Sequence, residues 1–114
     1  MVEDVKNLTV ESGSTLSYRN HPLCDVNDHV ARMSVMTEAF YWHLHPDSDE
    51  VFIGIEGRLA IDLEHGTVEL GPNDLYCVKK GVAHRTRPLT ARSVNLTLER
   101  AIMETIRVEP PTLG

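Results

Sequence analysis

The sequence predicts an all-β fold, a sandwich, jelly roll or barrel, and three observations carry that reading. Apolar and polar residues alternate with a period of two over short runs, the spacing of strands. Turn-forming residues break these runs at close intervals, at 46–49, 56–57, 64–66 and 71–74. Between the runs nothing reads as a crossover helix, so the layers are expected to be sheet on sheet.

Residues 7–10 (Asn-Leu-Thr-Val) are expected to form a first short strand. Residues 18–28 hold Asn20, Pro22, Asp25, Asn27 and Asp28 and read as loop. Over 29–36, Val30, Arg32, Ser34 and Met36 alternate with Ala31, Met33 and Val35. Over 38–45, Phe40, Trp42 and Leu44 fall on one face and Tyr41, His43 and His45 on the other. After the turn at 46–49, strands are expected at 50–55, 58–64, 67–70, 75–79, 84–88 and 91–98, with a connector at 80–83. Leu59, Ile61 and Leu63 share a face of the second of these. The tail is open: Ile102 and Ile106 stand at helical spacing, while Met103, Thr105 and Arg107 with Val108 fit a strand. Pro110-Pro111 ends the ordered pattern.

A chain of 114 residues fits one domain, here 1–114 with its core at about 29–98. With 41% hydrophobic and 25% charged residues, wholesale disorder is excluded. The net charge of −6 argues against a nucleic-acid partner. Lys79-Lys80 with Arg85 and Arg87 is too sparse a basic cluster to change that. No stretch approaches the ~18 apolar residues needed to cross a bilayer, and residues 1–6 lack the features of a signal peptide. Two cysteines, Cys24 and Cys77, are too few for a disulfide framework. The expected compartment is the cytoplasm, with both thiols reduced.

Among the six histidines, His43 and His45 are separated by one residue on an expected strand. Side chains at i and i+2 point to the same face about 6–7 Å apart, so both imidazoles can converge on one metal ion. Two readings stay open. If the apolar face of Phe40, Trp42 and Leu44 is the inner one, the histidines are merely solvated; if both faces are covered, they line a cavity. Glu50 begins the next strand after a polar turn, so a hairpin return brings its carboxylate back beside them. His84 follows Gly81 where the chain again becomes extended. Three imidazoles and one carboxylate suit a divalent first-row metal. His21, His29 and His65 fall in or near expected loops and turns and read as solvated.

The arrangement His43-x-His45-x4-Glu50-x6-Gly57, followed by Gly71, Asp74, Gly81 and His84, resembles the two motifs of the cupin superfamily. The stretch from Pro46 to Gly81 is similar to small single-domain bacterial cupins. Thr37, Lys79 and Pro88 stand where those motifs often carry glycine, proline and asparagine. The resemblance implies a double-stranded β-helix barrel, of jelly-roll form, holding one metal on His43, His45, Glu50 and His84. The metal is expected to be Fe, Mn, Zn, Ni or Co, since nitrogen and oxygen ligands suit all five.

Tyr41 shares the histidine face and Phe52 shares the face of Glu50, so both are candidates to line the cavity, with Met33 and Tyr76 as further wall residues. Tyr41 is also a candidate hydrogen-bond or proton donor. Nothing resembles a Ser-His-Asp triad, a phosphate loop or a dinucleotide fingerprint. The expected function is a metal-dependent enzyme acting on a small organic molecule, an oxygenase or a Lewis-acid isomerase or lyase. A non-catalytic module binding a metal or small ligand is the alternative, and a metal that only stabilises the barrel a third reading. A homodimer is expected, with Trp42, Phe40 and Leu44 as its apolar patch.

Overall fold

The computed structural model describes residues 5–13 and 18–111. After a single helical turn, α1 (Leu8–Glu11), ten strands follow among the described residues. They are β1 (Tyr18–Val26), β2 (His29–Met36), β3 (His43–Leu44), β4 (Glu50–Glu56), β5 (Leu59–Leu63), β6 (Gly66–Leu70), β7 (Leu75–Val78), β8 (His84–Pro88), β9 (Ser93–Arg100) and β10 (Ile106–Arg107). One antiparallel sheet has the order β1-β2-β9-β4-β7, the other β10-β3-β8-β5-β6. From β2 onward the chain repeatedly changes sheet, so the two sheets are wound together as a double-stranded β-helix.

Period-two alternation decides which side chains meet inside. Met36, Phe52 and Val78 of the first sheet pack against Leu59, Ile61 and Leu70 of the second. Ile61 is fully buried, and burying a side chain of that size contributes about 2–3 kcal/mol. A smaller cluster, Met33, Val35 and Val94, lies on the opposite face of the first sheet, covered by Leu8 and Leu23. Cross-strand partners share a face. Hence Val35 beside Val94 belongs to the outer cluster, and Ser34 beside Asn95 points into the barrel.

Two glycines set the barrel's ends. The Gly54 amide donates to the Asp74 carbonyl and its own carbonyl accepts from Asn73, both at 2.9 Å. This draws the 71–74 turn so close that a β-carbon at Gly54 would collide with the Gly71 carbonyl oxygen. Gly57 has φ +68°, and a β-carbon there would collide with the Arg92 carbonyl oxygen.

Several expectations are corrected. Residues 7–10 do not form a strand: Asn7 caps α1, its side-chain oxygen accepting from the Val10 amide at 3.1 Å. Residues 18–26 are a strand and not loop. β1 lies at the sheet edge, where Pro22 loses no ladder bond that matters and is followed by a register shift between Pro22 and Cys24. Of the residues read as loop, Asn27 supplies the actual turn, at φ 56°. Strand structure over 38–45 is confined to His43–Leu44. The alternation therefore breaks, and Phe40 turns inward, stacking on Tyr18 at 5.0 Å and meeting His43 edge-on at 5.2 Å. The open tail resolves as a strand: Ile106 and Arg107 pair with Leu44 and His43.

Candidate metal centre

His43 and His84 lie directly opposite each other on β3 and β8. His45 follows β3, its carbonyl accepting from the Gly81 amide at 2.8 Å. Glu50 begins β4 and projects from the facing sheet. All four residues are buried, and each offers a ligand atom within 4.8 Å of the others.

The hydrogen bonds fix which atoms face inward. His43 Nδ1 donates to the Tyr41 carbonyl at 2.8 Å, His84 Nδ1 to the Val82 carbonyl at 2.9 Å, and His45 Nδ1 to the Glu104 carbonyl at 3.1 Å. A carbonyl can only accept, so each Nδ1 carries the proton and each neutral ring is left with a bare Nε2. Those of His84 and His45 stand 3.2 and 3.4 Å from the same Glu50 oxygen. Lone pairs facing lone pairs at that distance require a positive charge between them, either a proton on an imidazole or a metal ion. Outer carbonyls fixing the tautomer of imidazoles with converging Nε2 atoms are the support that metal-ligating histidines receive. The donor set therefore fits a divalent transition metal.

Burial pushes the His43 pKa down to about 4, so this ring is neutral near pH 7. Burial also works against a charged His45, but Glu50, the Glu104 carbonyl and Asp47 outweigh it and raise its pKa. For Glu50, burial favours the neutral acid, yet His45 and His84, which hydrogen-bond to it once an Nε2 takes up a proton, hold the carboxyl well below the usual range. The neighbouring Glu99 is shifted the other way, raised by its own burial and by Glu50.

A cavity of about 410 Å³ opens beside the four residues. Tyr41 and Phe52 line it. Tyr76 packs against the inner core below it, and Met33 lies in the outer cluster on the other side of the first sheet. Tyr41 is held by the Arg107 guanidinium, 4.9 Å over its ring. His21, His29 and His65 are no part of the cluster.

Sequence reasoning missed two contributions. The tail crosses the site: Glu104 donates its amide to the Asp47 carboxylate at 3.2 Å, and Val108 donates to the Trp42 carbonyl at 3.0 Å. That places the Glu104 carbonyl and the Thr105 hydroxyl, 3.2 Å away, on His45. The second is the inward face of β9, where Asn95, Thr97 and Glu99 line the cavity. Its signal was the polar alternation over 93–99, which by itself reads as a solvent face.

The cupin domain family model matches residues 30–97, and the chain belongs to that family. It is 44% identical over 93 residues to the protein described as "Uncharacterized protein YdbB" of Bacillus subtilis (strain 168), covering 81% of each chain. Among solved structures it is similar to a cupin-2 domain protein from Shewanella frigidimarina NCIMB 400, with a TM-score of 0.78 and 27% identity over 84% of this chain and 94% of that one. The DMSP lyase DddQ from Ruegeria pomeroyi DSS-3 shares the fold at a TM-score of 0.72 and 20% identity, over 84% of this chain and 54% of that one.

Proposed function

We propose that this cupin holds one divalent transition metal, Fe, Mn, Zn, Ni or Co, on His43, His45, Glu50 and His84, and acts as a metal-dependent enzyme on a small organic molecule. The observation that carries this reading is the set of three imidazoles whose Nδ1 atoms are committed to carbonyls while their Nε2 atoms converge on Glu50. A metal there would supply Lewis acidity or a site for O2 chemistry, so the reaction class is an isomerase or lyase, or an oxygenase. The cavity beside the four residues supports turnover over a purely structural metal. Phe52 and Phe40 give it an apolar wall that excludes water from one side, and Tyr41, at its rim, is the candidate to hold or deliver a proton to the bound molecule. That a lyase shares the fold is consistent with this class and does not select the reaction.

The assembly in this reading is a homodimer. The support has moved from the patch expected in the sequence, since Phe40 points inward and Trp42 lies under the Arg85 guanidinium at 5.6 Å. It now rests on the exposed Leu75 and Leu98 on the outer face of the first sheet. Light scattering checks it, and a monomer mass removes it. Cytoplasmic residence fits the two unpaired cysteines, Cys24 and Cys77.

The test is elemental analysis of protein purified without a metal-affinity step, beside His84→Ala. The expected result is about one equivalent of a transition metal in the parent, reduced at least tenfold in the variant. Absence of metal from both, even after reconstitution, overturns the reading.

A further inference from the structure

The β9 face opposite the imidazoles carries polar atoms that have no hydrogen-bond partner among the described residues. Asn95 is 1% exposed, and neither its side-chain nitrogen nor its oxygen has a hydrogen-bond partner among the described residues. Thr97 is 3% exposed, and its hydroxyl has none either. Glu99 is 4% exposed and borders them: its Oε1 lies 3.5 Å from Arg32 Nε and its carboxyl interacts with Glu50, with Oε2 otherwise unpartnered among the described residues. All three side chains line the cavity that also holds His43, His45 and Glu50. Leaving a buried polar group unpaired costs about 1–3 kcal/mol, so a run of them on one strand is unexplained by folding.

We propose that Asn95, Thr97 and Glu99 form the recognition strip for the hydroxyl groups of a small polyhydroxylated substrate, of the sugar or sugar-acid type. The proposal rests on reading the neighbouring cluster as the metal centre of an enzyme. The strip offers donors and acceptors together: an amide with both, a hydroxyl with both, and a carboxyl oxygen. An apolar ligand leaves all of them unpaired. A phosphate, which at neutral pH mainly accepts, leaves the Asn95 oxygen unpaired and meets Glu99 and Glu50. An ammonium only donates and leaves the Asn95 nitrogen unpaired. A hydroxyl gives and takes a hydrogen bond at once, and pairs fully with the amide.

The geometry narrows the class further. Inward side chains on a strand recur every ~6.7 Å, so the strip suits hydroxyls distributed along a chain or ring better than a single alcohol. Thr97 stands between Phe52 and Arg32, its partners on β4 and β2. Phe52 therefore presents an apolar surface beside the polar strip, matching the C–H and O–H edges of a carbohydrate. Arg32, about a third exposed and held among the described residues by Glu99 and by Asn20 at 3.4 Å, is placed to meet a carboxylate where the substrate carries one.

The test measures melting temperature and metal content of the metal-loaded protein with Thr97→Val and Asn95→Leu, both close to isosteric. D-glucose, D-glucuronate and D-gluconate are the probes, with cyclohexanol, cyclohexanecarboxylate and inorganic phosphate as matched controls. At least one hydroxylated probe is expected to raise the parent's Tm, and its affinity to fall about tenfold or more in each variant. Without a probe, the variants should keep their metal and melt at or above the parent's temperature, because an unpaired polar group has been removed. A response confined to the controls, no response to any hydroxylated probe, or equal binding by both variants overturns the proposal. So does a Tm lowered in both variants with no ligand present, which makes these groups structural. A parent without metal that still binds a hydroxylated probe through Asn95 and Thr97 fails the metal reading alone and leaves the strip standing.

Discussion

Two carboxylates are buried on opposite faces of the barrel wall, and their surroundings differ in one respect. On the outer face of the second sheet, Asp62 is 6% exposed and accepts from Arg85 (Nε 3.0 Å, Nη2 2.8 Å), Arg87 (Nε 2.8 Å, Nη2 3.1 Å) and the Thr67 hydroxyl at 2.7 Å. Arg85 and Thr67 are its direct partners on the flanking strands, so strand register alone builds the cluster. Inside, Glu50 is 8% exposed and faces imidazoles. Guanidinium groups are always charged, whereas a neutral imidazole brings no charge. Asp62 is thus compensated permanently within its own chain. Glu50 is compensated only when a proton or a metal joins it. A carboxylate fully satisfied by arginines is a structural joint; one satisfied by neutral ligands marks a place for a cation.

Chelation separates the two regions most widely. Treatment with EDTA should strip the Glu50 site and leave the Asp62 cluster intact. For a metal at a hundredfold its Kd, the loss is about 2.7 kcal/mol, or roughly 10 °C in Tm for a chain of this length. Calorimetry with and without chelator, then with metal restored, measures it. A Tm unmoved by EDTA in protein shown to contain metal means that the site contributes nothing to holding the barrel together.

Asp62→Ala is expected to show the reverse, with stability lowered and metal content unchanged. Breaking a buried ion pair costs about 3–5 kcal/mol. Here both arginines are more than a third exposed, and solvent screening reduces the expectation to about 2 kcal/mol. Urea titration reads it. The pH dependence has a definite sign. Burial works to raise the Asp62 pKa, but the hydrogen bonds from Arg87, Thr67 and Arg85 outweigh it and hold the carboxyl well below the usual range. A depressed folded pKa stabilises above the unfolded value of about 3.9 and is lost as pH falls toward the folded one. The stability gap between the parent and Asp62→Asn should therefore be constant at neutral pH and shrink from about pH 5 downward. A gap independent of pH removes the charge from the explanation.

The same contrast explains what could be read from the sequence. The strands from 50 to 98 and the spacing of His43, His45, Glu50 and His84 were legible because turns and alternation are local. The family match over 30–97 covers that same stretch. What failed depended on context. Pro22 and the asparagines disguised β1, since whether a proline is tolerated depends on the strand lying at an edge. The polar side of β9 reads as a solvent face, because alternation shows that two faces differ and not which one is inside. In this barrel the first sheet carries its outer apolar cluster under Leu8 and Leu23, which frees its inner face for Ser34, Asn95 and Thr97. The Glu104 carbonyl on His45 was hidden for another reason: the two residues are 59 positions apart and the contact is made by backbone.

The smallest expected effect tests how far the outer cluster depends on guanidinium geometry as well as charge. Arg85 meets Asp62 through two nitrogens and also lies over the Trp42 ring at 5.6 Å. Arg85→Lys keeps the charge but gives up the two-nitrogen approach and the planar stacking surface. Arg87 still holds the carboxylate through two further hydrogen bonds. The loss should therefore be below about 1 kcal/mol, smaller than for Asp62→Ala, with a shift in Trp42 fluorescence as the guanidinium leaves the ring. Trp42 precedes His43, and its carbonyl anchors the tail through Val108, so metal content measured on the same variant shows whether the two faces are coupled through β3. Retained metal with altered fluorescence means that the outer joint and the inner site are independent. Lost metal with an intact fold means that the outer cluster also positions His43.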